Sequence, residues 1–99
     1  MKVVINSRHG GFSLSQEAVF LYETLMGKLF DQYSMPLGMY DPEFRSDPLL
    51  IKTIEILGEE SSSGEFATLK IIEIPDNIDW QIEEYDGLEW IAEKHRVWE

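Results

Sequence analysis

The residues best suited to chemistry form one short run, Arg8-His9-Gly10-Gly11-Phe12-Ser13, lying between an apolar segment and the first helical pattern. Glycines let the backbone approach a ligand, and amides at a helix start lack intrahelical partners. With the donors of Arg8, His9 and Ser13, this combination suits a phosphate or carboxylate. It is neither a Walker loop nor the full dinucleotide fingerprint, which needs further glycines and a downstream acid. An ordinary strand-to-helix turn that requires glycine for its geometry explains the same letters. A second cluster, Glu93 to Trp98, holds one of the two histidines and two of the eight cations of the chain. If the protein sequesters a nucleotide-type ligand, Gly10, Gly11 and Arg8 sit at the phosphate, and His95, Arg96 and Trp98 complete the site. The plainer account pairs Lys94 with Asp79 across a hairpin and sets Arg96 near Asn77.

Catalysis has little support. Ser13, His9 and an aspartate make a triad only on paper, because no nucleophile elbow is present. Glu83 and Glu84 would point to opposite faces of a strand, so they cannot flank one bond. A metal site from His9, His95 and carboxylates requires the fold to bring the histidines together, and without cysteine there is no thiolate zinc site and no disulfide. The expectation is a non-enzyme with no cofactor.

The 99 residues, 43% hydrophobic, fit one domain with a modest core. No apolar run reaches the roughly 20 residues that span a bilayer, and MKVVINSRHGG turns polar too soon for a signal peptide, so the cytosol is the expected location. The net charge is −11. Residues 51–99 carry four Lys/Arg against thirteen Asp/Glu, a balance of −9, while residues 1–50 carry only −2. That distribution disfavours direct binding to nucleic acid and suits solubility or docking on a basic partner.

The elements that would position these residues follow from pattern. Val3, Val4 and Ile5 read as a buried strand, and Ala18, Leu21, Tyr22, Leu25 and Leu29 mark one helical face. Either Ser13 or Ser15 caps that helix, and Gly27 is its natural stop. Asp31 to Ser46 has no sustained period, and its aromatics predict an ordered excursion over the core with one helical turn. Asp47-Pro48 starts a second helix that ends at Leu57-Gly58. Glu59 to Glu65 reads as a polar turn, and Leu69 to Ile74 as a strand stopped by Pro75. In IDWQIEEYDGLEWIAEKHRVW, Asp86-Gly87 between β-prone runs predicts a hairpin in which Tyr85 faces Leu88, Ile82 faces Ile91 and Trp80 faces Glu93. The face carrying Trp80, Ile82 and Ile91 would be core. Leu88, Ile91, Ala92, His95 and Trp98 also fit a helical face.

The order predicts an α+β two-layer sandwich of about four mixed strands, with a parallel first pair, an antiparallel meander of the last three, and two helices on one face. The exposed hairpin edge and the aromatic loop also raise the expectation of a homo-oligomer.

Three blocks, KVVINSRHGGFSLSQEA, RSDPLLIKTIEILGEESSSGEFATLKIIEIPD and WQIEEYDGLEWIAEKHRVW, resemble a family of small uncharacterised proteins encoded by tailed bacteriophages. Together they cover about two-thirds of the chain in order. The resemblance implies life in the host cytoplasm and a counter-defence role, without naming an activity. Two expectations follow: sequestration of a phosphate-bearing small molecule, or acidic inhibition of a host nuclease or defence protein.

Overall fold

The computed structural model describes residues 1–34 and 38–94, so His95, Arg96 and Trp98 lie outside the described residues. The elements are β1 (Lys2–Asn6), α1 (Gln16–Met26), two single 3-10 turns, α2 (Pro42–Arg45), α3 (Pro48–Leu57), α4 (Glu59–Ser62), β2 (Leu69–Glu73), β3 (Trp80–Tyr85) and β4 (Leu88–Glu93). The α+β class and the terminal hairpin are as expected. The hairpin register matches residue for residue, from Tyr85 opposite Leu88 to Trp80 opposite Glu93. Asp86 (φ 51°) and Gly87 (φ 86°) both take positive φ, as a two-residue turn requires. Leu88 to Glu93 is therefore strand, and the helical alternative fails.

The sheet differs from expectation. β1 pairs with β2 antiparallel, not parallel, and β3 pairs only with β4, giving two separate two-stranded sheets. β2 does not join the hairpin because side chains already occupy its outer edge. Ser63 Oγ accepts from Leu69 N–H at 2.9 Å, and Glu59 Oε2 from Ile71 N–H at 2.7 Å. Both acceptors come from α4 and the residue after it, in a segment expected to be only a turn.

Helix ends follow their signals. Ser15, not Ser13, caps α1, its Oγ accepting from Ala18 N–H, and Gly27 closes the helix in the left-handed region. Asp47 caps α3, with Pro48 in the first turn. The two helices pack together against β1 and β2 around Val4, Ala18, Tyr22, Leu50, Ile54 and Leu69. The excursion before α3 is ordered where described. Asp41-Pro42 starts the four-residue α2, and Phe44 enters a cluster with Phe30 (5.5 Å, stacked), Tyr22 and Phe12.

Two predictions follow. A Cβ on Gly87 would stand 2.2 Å from Gly11 N and 2.6 Å from Gly10 N, whereas one on Gly27 (φ 73°) would meet nothing within 4 Å. Gly87→Val should therefore cost about 3 kcal/mol or more, and Gly27→Ala only the left-handed strain of about 1 kcal/mol. Thermal melts of the two variants check this, and equal shifts would mean that only φ matters. Burial, then the Tyr22 hydroxyl's 2.5 Å hydrogen bond to Asp47 Oδ2, pushes the Tyr22 phenol above its ordinary value. The fold favours the neutral phenol, so this contribution is intact below about pH 10 and is lost as pH climbs toward the raised folded value. Urea unfolding at pH 8 and 11 should show a smaller alkaline loss in Tyr22→Phe than in the parent.

Candidate functional site

Antiparallel pairing decides which backbone groups of β1 need outside partners. Ser7 N–H donates to Thr68 C=O and Ile74 N–H to Met1 C=O, so the odd-numbered residues of β1 face β2 while Val4 and Asn6 face away. That outer edge is buried. Instead of a third strand, a charged pair satisfies it. Asn6 N–H donates to Glu89 Oε1 at 2.8 Å, and Arg45 Nη1 donates to Val4 C=O at 3.3 Å. The guanidinium meets the Glu89 carboxylate in a fork, Nη1 to Oε1 at 2.6 Å and Nη2 to Oε2 at 2.8 Å. Arg45 Nε donates to Met39 C=O, and the guanidinium carbon lies 3.7 Å from the centre of the Phe12 ring. The two side chains are 0% and 1% exposed. Removing either partner would strand the other without water.

Asn6 extends the attachment. Its Nδ2 donates to Arg8 C=O and Gly87 C=O, and its Oδ1 accepts from Thr68 N–H. One buried amide thus binds β1, the start of the glycine run and the hairpin turn together. The glycine run has its place in this junction. Gly10 N–H donates to Asp86 C=O at 3.3 Å, and a Cβ on Gly10 would stand 2.5 Å from Phe66 O. The run does not open α1, which starts after Phe12, Ser13 and Leu14 have passed and Leu14 has bridged to Ser63.

Of the expected site residues that are described, Arg8, His9 and Ser13 are not gathered into one cradle. His9 turns to the hairpin tip, its Nδ1 3.2 Å from Asp86 C=O and its ring edge-on to Tyr85. Arg8 turns the other way and borders an open groove of about 520 Å³ with Glu59, Glu60, Ser63 and Thr68. Two carboxylates there outweigh one guanidinium. Ser13 lies against Gly64, where a Cβ would meet its Oγ at 2.0 Å. Among the described residues no group of three or more His, Asp or Glu could hold a metal, and no helix is long and apolar enough to cross a membrane.

What the junction presents is the hairpin. Of its faces, the expected core side carries half-buried Trp80, Ile82 and Ile91, and its deepest residue is Glu89, not an apolar one. The outer face carries Tyr85, 72% exposed, and Trp90, 42% exposed. Glu83 sits between them, accepting from Trp90 Nε1 at 3.2 Å and from Gln81 Nε2 at 3.0 Å. Glu84 accepts from Gly87 N–H at 3.0 Å and braces the turn. Trp80 to Glu93 contains five carboxylates and no Lys or Arg, and among the described residues only Glu89 is ion-paired to an arginine. Asn6, Arg45 and Glu89 escaped the sequence reading. The available signal was Glu89 itself, an acid on the inward face with Ile82 and Ile91.

Comparison with family models, curated proteins and solved structures gave no match.

The buried pair gives a direct test. Arg45→Met and Glu89→Leu should each cost about 3–5 kcal/mol, while the double variant, which leaves no unpaired charge, should cost clearly less than their sum. Urea unfolding of the four proteins checks it, and additive losses would show that the two groups are not coupled.

Proposed function

We propose that this is a non-catalytic acidic binding protein whose C-terminal hairpin docks on a basic surface of a partner protein. The observation that carries the reading is the braced hairpin: carboxylates beside Tyr85 and Trp90 that have no Lys or Arg partner among the described residues, on a hairpin held to the body by a buried ion pair. Aromatic anchors within a charged surface are the composition of interface hot spots, and like charge on one projection steers a basic partner. In keeping with the resemblance to phage proteins, the partner is a host nuclease or defence protein with a cationic face.

Sequestration of a phosphate-bearing molecule is the second reading, favoured by Arg8, which has no ion-pair partner among the described residues and borders the groove beside α4. Its weakness is the presence of Glu59 and Glu60 in the same groove. The two readings separate in one experiment. An oligo-arginine peptide titrated by tryptophan fluorescence should bind with an affinity that falls steeply with salt. Asp86→Asn with Glu93→Gln should weaken it by about tenfold, and Glu17→Gln with Glu43→Gln, the same charge change on α1 and α2, by under about threefold. Equal effects of the two pairs would reduce the hairpin to bulk charge. A melting shift with nucleotides or cyclic dinucleotides that Arg8→Ala abolishes would favour sequestration instead.

A further inference from the structure

We infer that the partner is bound by strand addition: an extended segment alternating apolar and basic residues pairs antiparallel with the free edge of β3. The inference rests on the docking reading and names its mode. Lys94 N–H donates to Asp79 C=O at 2.9 Å, which continues the hairpin ladder and fixes Asp79, Gln81, Glu83 and Tyr85 as the residues whose backbone faces β4. Trp80, Ile82 and Glu84 therefore turn their N–H and C=O groups outward. Among the described residues these groups have no hydrogen-bond partner. β4, not β3, is the strand beside β1, so the body does not cover this edge.

The outer edges of β1 and β2 are occupied by side chains, and the outer edge of β4 lies toward β1. Glu89 and Arg45 close β1, and Ser63 and Glu59 occupy the amides of β2. The edge of β3 has neither a side-chain fence nor a lysine, proline or bulge to deter pairing. The two faces beside it differ in chemistry. On the inward face stand half-buried Trp80 and Ile82, and on the outward face Gln81, Glu83 and Tyr85. A strand laid along the edge would set apolar residues beside Trp80 and Ile82, and Lys or Arg beside Glu83 and the Tyr85 ring. A second copy of this chain is a poor occupant, because pairing the outward groups of β3 with those of another β3 sets Glu83 diagonal to or directly opposite its own copy, in a protein of charge −11.

The probe is a peptide of alternating lysine and valine, about seven residues long to match a strand. In antiparallel pairing the valines stand opposite Trp80, Ile82 and Glu84, so their amides face β3 while the lysine amides face solvent. N-methylation of the valines should weaken binding about tenfold or more, and N-methylation of the lysines by less than about threefold. Any other pattern overturns strand addition. On the protein, Glu84→Ala removes only the side chain, whereas Glu84→Pro also removes an outward amide, so the proline variant should bind about tenfold more weakly than the alanine variant. Equal weakening of the two, with folding confirmed by circular dichroism, overturns the edge and leaves electrostatic docking standing. If the proline variant does not fold, the methylated probes decide alone. No binding of the unmethylated probe at low salt, with oligo-arginine also inert, removes the docking reading itself. A dimer in light scattering that Glu84→Pro dissolves would make the occupant a second copy and overturn the inference.

Discussion

The structure depends on a salt bridge used as a strand. β1 is buried along an edge where Val4 C=O and Asn6 N–H point away from β2. Buried backbone groups without partners cost about as much as a lost hydrogen bond each, so something polar has to lie there. The Arg45–Glu89 fork supplies an acceptor for Asn6 and a donor for Val4, as a neighbouring strand would, and joins α2 to β4 in doing so. Its own desolvation is offset by a full set of bonds: carboxylate, Met39 C=O, Val4 C=O and the Phe12 face. A hydrophobic pair could fill that volume. It could not terminate the sheet.

Around this pair, two turns interlock through glycine. The hairpin turn approaches the Gly10-Gly11 turn so closely that Gly87 has no room for a side chain, while a Cβ on Gly10 would run into the Phe66 backbone. Asn6 spans the joint, bonding Arg8 C=O on one side and Gly87 C=O on the other. The glycine run thus has a mechanical task, whatever else Arg8 does in its groove. The hairpin, which alone would be marginal as a two-stranded unit, is held as part of the domain. Its outer face and outer edge are consequently presented in one orientation.

Local chemistry was legible in the sequence. Asp86-Gly87 set the register, Asp47-Pro48 and Gly58 bounded α3, and Ser15 and Gly27 bounded α1, because each of these signals acts within a few residues. Strand pairing beyond the hairpin was not legible. Element order suggests a parallel pair and a meander, but which edges stay free is decided by side chains outside the strands: Glu89, 83 positions from Asn6, for β1, and Glu59 with Ser63, twelve and six positions from the amides they bond, for β2. Nothing in the EESSSGE run distinguishes a fence from a flexible turn. The structural task of the glycine run was likewise not legible. Its partner, the hairpin turn, lies 77 positions away.

The side-chain closure of β1 also bears on how the protein fails. Val3, Val4 and Ile5 form a short, uncharged, β-prone segment whose outward backbone groups are masked only while Arg45 and Glu89 stay in place. Displacing the hairpin does more than lower stability, since it uncovers a hydrophobic strand edge able to template the same segment of another molecule. Self-association through β1 is then opposed mainly by the high negative charge of the chain. The same carboxylates that suit a basic partner would in this way keep partly opened molecules apart, and acid or high salt, which silences them, is the condition under which aggregation would begin.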